Sequence, residues 1–167
     1  MPTVLANFGQ LTASLNRMSS KFQTEVKEII ETNLADIELQ AIRDAPGPGQ
    51  PIKTTFGTES QEEIARGRGW TPISQAIGYS IDPSGYKGRV FVERSAGEIA
   101  AWTEFGTGQS AASYLATVPA EWRSLAMLYY ISGKGSIIAQ PYLLPAFLKY
   151  QIQCVKDLKQ ALKDLKL

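Results

Sequence analysis

QLTASLNRMSSKFQTEVKEIIETNLADIELQAIRD, residues 10–44, runs directly into Ala45-Pro46-Gly47-Pro48-Gly49-Gln50-Pro51. The first run holds neither glycine nor proline. Its apolar residues fall at Leu11, Leu15, Met18, Phe22, Val26, Ile30, Leu34, Ile37 and Ala41, a series that already starts at Phe8. Steps of three and four put them on one stripe of one helix. The stripe begins with a heptad rhythm and relaxes into successive fours, so its mean period is that of a nearly straight helix. At 1.5 Å per residue such a helix reaches roughly 50 Å, more than a small domain needs to cover its own core. The sequence therefore predicts that residues 1–45 form a long projecting helix whose far half is covered by something outside the subunit. The prolines that follow end it, because proline disfavours helical geometry in the residue before it and supplies no amide donor.

Outward from that helix, residues 46–72 are polar and rich in glycine and read as a loop, which includes Arg66-Gly67-Arg68-Gly69. Next come strand signals. Ile73, Ile77, Tyr79 and Ile81 alternate with small and polar residues, Asp82-Pro83-Ser84-Gly85 supplies a turn, and Arg89 to Arg94 alternates again. This pair predicts an antiparallel hairpin with one face against helices. Ile99, Trp102 and Phe105, three apart, mark a short helical turn closing on Gly106. Val118-Pro119-Ala120-Glu121 opens an inserted helix, with proline where its missing amide costs little, and Trp122, Leu125, Ala126 and Tyr129 give it an apolar face. The last helix opens at Pro145 and carries Leu148, Ile152, Val155, Leu158, Leu162 and Leu165 as its stripe, with lysines at 156, 159, 163 and 166 on its solvated face. The fold class is α+β: long N-terminal and C-terminal helices on a small, mainly antiparallel sheet, in one domain whose middle, residues 73–147, holds sheet and insert.

Composition narrows the chemistry. The 167 residues are 44% hydrophobic and 20% charged, enough for a real core. Seventeen basic and sixteen acidic residues leave a formal charge of +1, so no strong overall field attracts nucleic acid. Histidine is absent and Cys154 is the only cysteine, which removes His-dependent triads, Cys-His pairs, an intramolecular disulfide and the usual zinc sites. Within its helical pattern Cys154 reads as a small buried hydrophobe. Glu93, Glu98 and Glu104 are the only clustered carboxylates near a motif, and they read as rim and turn residues with neither metal-ligand spacing nor an oxyanion nest beside them. Gly133-Lys134-Gly135-Ser136 lacks the frame of a phosphate loop. Neither a signal peptide at residues 1–10 nor an apolar run long enough to span a bilayer stands out, so no membrane is expected. No enzyme, cofactor or metal is expected either.

Two phrases remain. Glu104-Phe105-Gly106-Thr107 and Ala139-Gln140-Pro141-Tyr142-Leu143-Leu144-Pro145-Ala146-Phe147 follow, in that order, a helix ending at Asp44-Ala45-Pro46 and a strand. This order resembles the gene-ten-like neck and tail-completion proteins of long-tailed bacteriophages, head-tail joining proteins in which a helix ends at Ala-Pro, a strand follows, then Glu-Phe-Gly-Thr, then a Pro-aromatic-Leu-x-Pro-Ala start to the last helix. The likeness is weak from Gln10 to Pro46 and specific from Ile73 to Phe147. It departs from the family in a longer loop after Pro46, in Thr103 before Glu104, and in the thirty-odd residues between the phrases.

The resemblance implies a structural virion protein, made in a host cytoplasm and placed at the neck or tail top. It would form a homo-oligomeric ring, sixfold in preference to twelvefold, between a connector or head-closure protein and a tail-tube protein. Genomic DNA would pass through its lumen without sequence-specific binding. Within that reading Trp102, Glu104, Phe105, Gly106, Thr107, Pro141 and Pro145 are structural. Phe8, Leu11, Leu15, Met18 and Phe22, with Trp122, Tyr129 and Tyr130, form surplus apolar surface expected to meet partners. The competing class is a nucleic-acid-binding module using Arg66, Arg68 and the C-terminal lysines.

Overall fold

The computed structural model describes residues 3–7, 20–61, 68–129 and 135–164. Its elements are strand β1 (Thr3–Asn7), helix α1 (Ser20–Asp44), strands β2 (Pro51–Thr54), β3 (Gly57–Ser60), β4 (Ile77–Ile81) and β5 (Lys87–Val92), then helices α2 (Ile99–Phe105), α3 (Gly108–Leu115), α4 (Ala120–Tyr129) and α5 (Leu143–Asp164). The fold is α+β. One antiparallel sheet has the order β1-β5-β4, and β2 and β3 form a separate antiparallel hairpin.

α1 lies between the three-stranded sheet and α5. Phe22, Val26, Ile30, Leu34, Ile37 and Ala41 are all buried along it, and burying each of the larger ones contributes about 1.5–3 kcal/mol. The approach to the sheet requires Gly88 on β5, where a Cβ would run into the Leu34 side chain. α5 returns antiparallel to α1. Asn33 Nδ2 on α1 donates to Asp157 at 3.4 Å, and Lys149 Nζ donates to Gln40 at 3.0 Å.

α5 is held on one face only. That face carries Phe147, Cys154, Leu158 and Ala161. Burial, and then the charge of Asp157, push the Cys154 thiol up to about 11, so it serves as packing rather than as a nucleophile.

Several expectations change here. Within the described residues α1 starts at Ser20 and is packed along its length, while the expected projecting part, residues 10–19, lies outside them. Phe22, expected at a partner surface, is only 2% exposed and belongs to the subunit's own core. Residues 46–72 are not one open loop, since β2 and β3 pair within it from Pro51↔Ser60 to Thr54↔Gly57. Buried Gln61 organises the entry to that hairpin, its amide nitrogen lying 2.7 Å from the Gly47 carbonyl and 3.1 Å from that of Pro46.

Residues 3–7, expected to belong to the long N-terminal helix, form strand β1 instead, with Thr3↔Phe91 through Asn7↔Lys87 in register; the stretch raised no strand signal because β5 defines it. Ile73–Gln75 forms a 3-10 turn rather than the start of the first hairpin strand. Pairing β4 with β5 depends on the Asp82–Gly85 turn, where Gly85 takes a φ of 76° and Asp82 Oδ1 accepts the Ser84 hydroxyl at 2.7 Å. α5 opens at Leu143 rather than at Pro145. Its stripe is also rotated from the expected one: Leu158 is buried, but Ile152, Val155 and Leu162 are 60%, 41% and 41% exposed.

Candidate assembly surfaces and the clasp beneath them

The two phrases singled out in the sequence fold against each other. Glu104, at the end of α2, is fully buried and points its carboxylate at the start of α5. Oε2 accepts the Tyr142 and Leu143 amides at 2.8 and 2.9 Å, and Oε1 accepts the Leu144 amide at 3.1 Å. A helix start leaves its first backbone donors unpaired, and its dipole favours negative charge there. Leu143 and Leu144 give their donors to Glu104, while Pro145, the third helical residue, has none to give. The order Tyr-Leu-Leu-Pro thus leaves no orphan amide among these positions.

Burial pushes the Glu104 carboxyl above its ordinary value, and the three amides pull the other way. Tyr142, itself buried, donates its hydroxyl to the Ala100 carbonyl at 3.1 Å, and its phenol is raised by burial and by the Glu104 charge.

Beside the carboxylate, the chain turns at Gly106 with φ 74°. A Cβ there would lie 2.9 Å from the Ala139 amide nitrogen and 3.2 Å from the Ile137 carbonyl, so both conformation and space demand glycine. Thr107 then exchanges two bonds with Ile137. Its amide donates to the Ile137 carbonyl and its hydroxyl accepts the Ile137 amide, both at 2.9 Å. Gln140 N donates to Thr103 O at 2.8 Å and Ala139 N to Ser110 Oγ at 2.9 Å. Phe105, 1% exposed, anchors the turn against Ala101, Tyr114 and Leu115. The same strip continues onto the small hairpin, where Thr55 N donates to Ser136 O at 2.7 Å and Ile138 N to Lys53 O at 2.9 Å.

The remaining residues named from sequence are spread out. Trp102 is half-buried, edge-on to Trp70 at 6.0 Å, and Arg68 lies over the Trp70 ring at 4.7 Å. Arg68 is thus engaged with its own subunit's aromatics, and Arg66 lies outside the described residues. Trp122, expected at a partner surface, is only 9% exposed and packs on Phe147 at 5.6 Å, inside the subunit. α4 carries Tyr129 as its last residue. Tyr130, Phe8, Leu11, Leu15 and Met18 lie outside the described residues. Pro145 is exposed and Pro141 half-buried, both at the clasp.

Glu93 and Glu98 are exposed, apart from the sealed Glu104. Among the described residues no group of three or more His, Cys, Asp or Glu could hold a metal ion, and no helix is long and apolar enough to cross a membrane. Sequence reasoning missed Ser110 and the Tyr142 hydroxyl, which no spacing announces. It also missed the outward apolar flank of α5 and the tip of the β2–β3 hairpin, where Phe56 is 90% exposed. The α5 flank did leave a signal, since Leu148, Ile152, Val155 and Leu162 follow one register while Phe147, Cys154, Leu158 and Ala161 follow another. Comparison of the chain with protein-family models, with curated proteins and with solved structures gave no match.

Proposed function

We propose that this chain is a structural subunit of a bacteriophage neck, acting without catalysis, that forms a ring joining the head connector to the tail and leaving a passage for DNA. The observation that carries the reading is the clasp. Glu104-Phe105-Gly106-Thr107 and Gln140-Pro141-Tyr142-Leu143-Leu144-Pro145 are the phrases on which the resemblance rests, and they bond to each other atom by atom. Two phrases that complete one helix start are a single structural requirement, which supports a shared architecture better than two scattered matches would. The exposed apolar residues Phe56, Met127, Ile152, Val155 and Leu162 supply surface for assembly.

A passage for DNA also has to avoid gripping it, and a near-neutral subunit meets that condition because each neutralised phosphate adds salt-dependent affinity. The ring is sixfold in this reading. Native mass spectrometry of the purified chain over rising concentration is the test, and a closed species of six copies, or of twelve, is expected. A monomer at every concentration, or an open-ended ladder, would overturn the proposal.

A further inference from the structure

α5 and α1 run antiparallel, and each turns a different kind of surface outward. On α5 the exposed flank carries Ile152, Val155 and Leu162, with Lys156, Lys159 and Lys163 exposed around them. Its two acids are used elsewhere, Asp157 accepting from Asn33 and Gln153 and Asp164 from Gln160. On α1, Glu28, Glu31, Ala35 and Leu39 are spaced by three and four and so share a face, which ends where Ile42 packs partly buried against the subunit's own core. Glu28 and Glu31 are exposed, as is Leu39 at 47%. Over their whole lengths α1 has six carboxylates against three cations, and α5 has four lysines against two aspartates.

We infer that the outward flank of α5 docks on the outward face of α1 in a second copy of this chain. Three observations select that occupant. First, exposed apolar residues stepped by three and seven along one flank of a helix are what another helix fills, side chain against side chain. Second, two-fold pairing of α5 with itself would bring the row of Lys156, Lys159 and Lys163 alongside the same row of the other copy, and like charges across an interface cost binding. The acidic face of α1 removes that cost. Third, the order along the helices matches in the antiparallel sense. Ile152 and Val155 then fall opposite Leu39 and Ala35, and Lys159 and Lys163 fall opposite Glu31 and Glu28. Because donor and acceptor faces differ, the contact is head-to-tail, the kind that closes rings or propagates. The inference rests on the ring reading for its choice of a second copy, and names the contact that would close the ring.

Charge reversal on the full chain, read by sedimentation velocity with circular dichroism and thermal melting as folding controls, tests it. Ile152→Asp with Val155→Asp should weaken self-association by about 100-fold or more, about 2.7 kcal/mol, while the melting curve stays near that of the wild type. Lys159→Glu with Lys163→Glu should weaken it about tenfold, as should Glu28→Lys with Glu31→Lys. The combined four-residue swap should recover most of the loss.

A wild-type chain that stays monomeric, seam variants that associate normally, or a swap that fails to rescue would each overturn the proposal. So would a lysine reversal that spares self-association and instead removes salt-dependent binding of a short DNA duplex, since α5 would then be a nucleic-acid surface. Rescue of an assembly that never closes would keep this contact and sink the neck ring.

Discussion

At the first turn of α5 a buried carboxylate takes two helical amides and a proline removes the need for a third. Two turns farther on, Ile152 stands 60% exposed beside a row of lysines. The same helix thus has one end whose backbone amides are matched inside the subunit and one flank whose apolar surface is left over. The first arrangement is worth having in an isolated chain, because an unmatched buried donor costs about 1–3 kcal/mol. The second gains nothing until a partner arrives. Stability thus resides in one part of the element and, in the reading proposed above, assembly in another, and substitutions should separate them.

The largest effect is expected at Phe105. Phe105→Ala should cost about 3–5 kcal/mol in urea unfolding, since it empties the space between Ala101, Tyr114 and Leu115; a normally stable variant would show that the turn is not anchored by this ring. Glu104→Gln comes next, at about 3 kcal/mol, because it turns an amide N–H₂ toward backbone donors that the carboxyl oxygens accept and leaves buried donors unmatched.

The pH profile sharpens that test. The folded state holds the Glu104 proton more tightly than the unfolded state, whose value is near 4.5. Its contribution is then fullest below that value and falls as pH rises through the raised one. The stability difference between wild type and Glu104→Gln should carry this slope, and a difference that is flat from acid to neutral pH would mean that Glu104 is not raised.

Gly106→Ala should cost about 2 kcal/mol through its positive φ, measured by the same unfolding curves. Smallest on stability, within about 0.5 kcal/mol, should be Ile152→Asp alone. Its effect belongs in sedimentation, and a substantial loss of melting temperature would move Ile152 into the core.

How much of this was legible differs from element to element. α1 could be read because Phe22 to Ala41 repeats a helical period over many turns, and its end because Ala45-Pro46 admits no continuation. β1 could not: a five-residue strand is defined by its partner β5, eighty or more positions away, and no local period betrays it. The β2–β3 hairpin hid for a related reason, since its residues are mostly polar and only Ile52 and Thr54 turn inward.

For the clasp, sequence supplied the phrases and their order but not their meeting, which depends on Glu104 reaching a helix start 38 residues later. The α5 stripe was misplaced because two apolar registers overlap on one helix, and periodicity alone does not say which one α1 covers. Phe22 and Trp122 show the matching limit. Surplus apolar residues are countable in a sequence, but which of them are surplus depends on tertiary neighbours.

The contact between Asn33 and Asp157 joins positions 124 residues apart. Pairings this remote in sequence pay their loop-closure entropy before they return any burial, which slows folding relative to a chain built on local contacts. During synthesis, α1 leaves the ribosome with its apolar stripe made and the helix that covers it not yet translated. At about 5–20 residues per second, the interval before α5 is complete lasts roughly 6–24 s. For that time the future core is open to chaperones and to other nascent chains. The stripe on α1 therefore has a life before the native state, and the order of translation, as much as the final energy, decides whether its first partner is the right one.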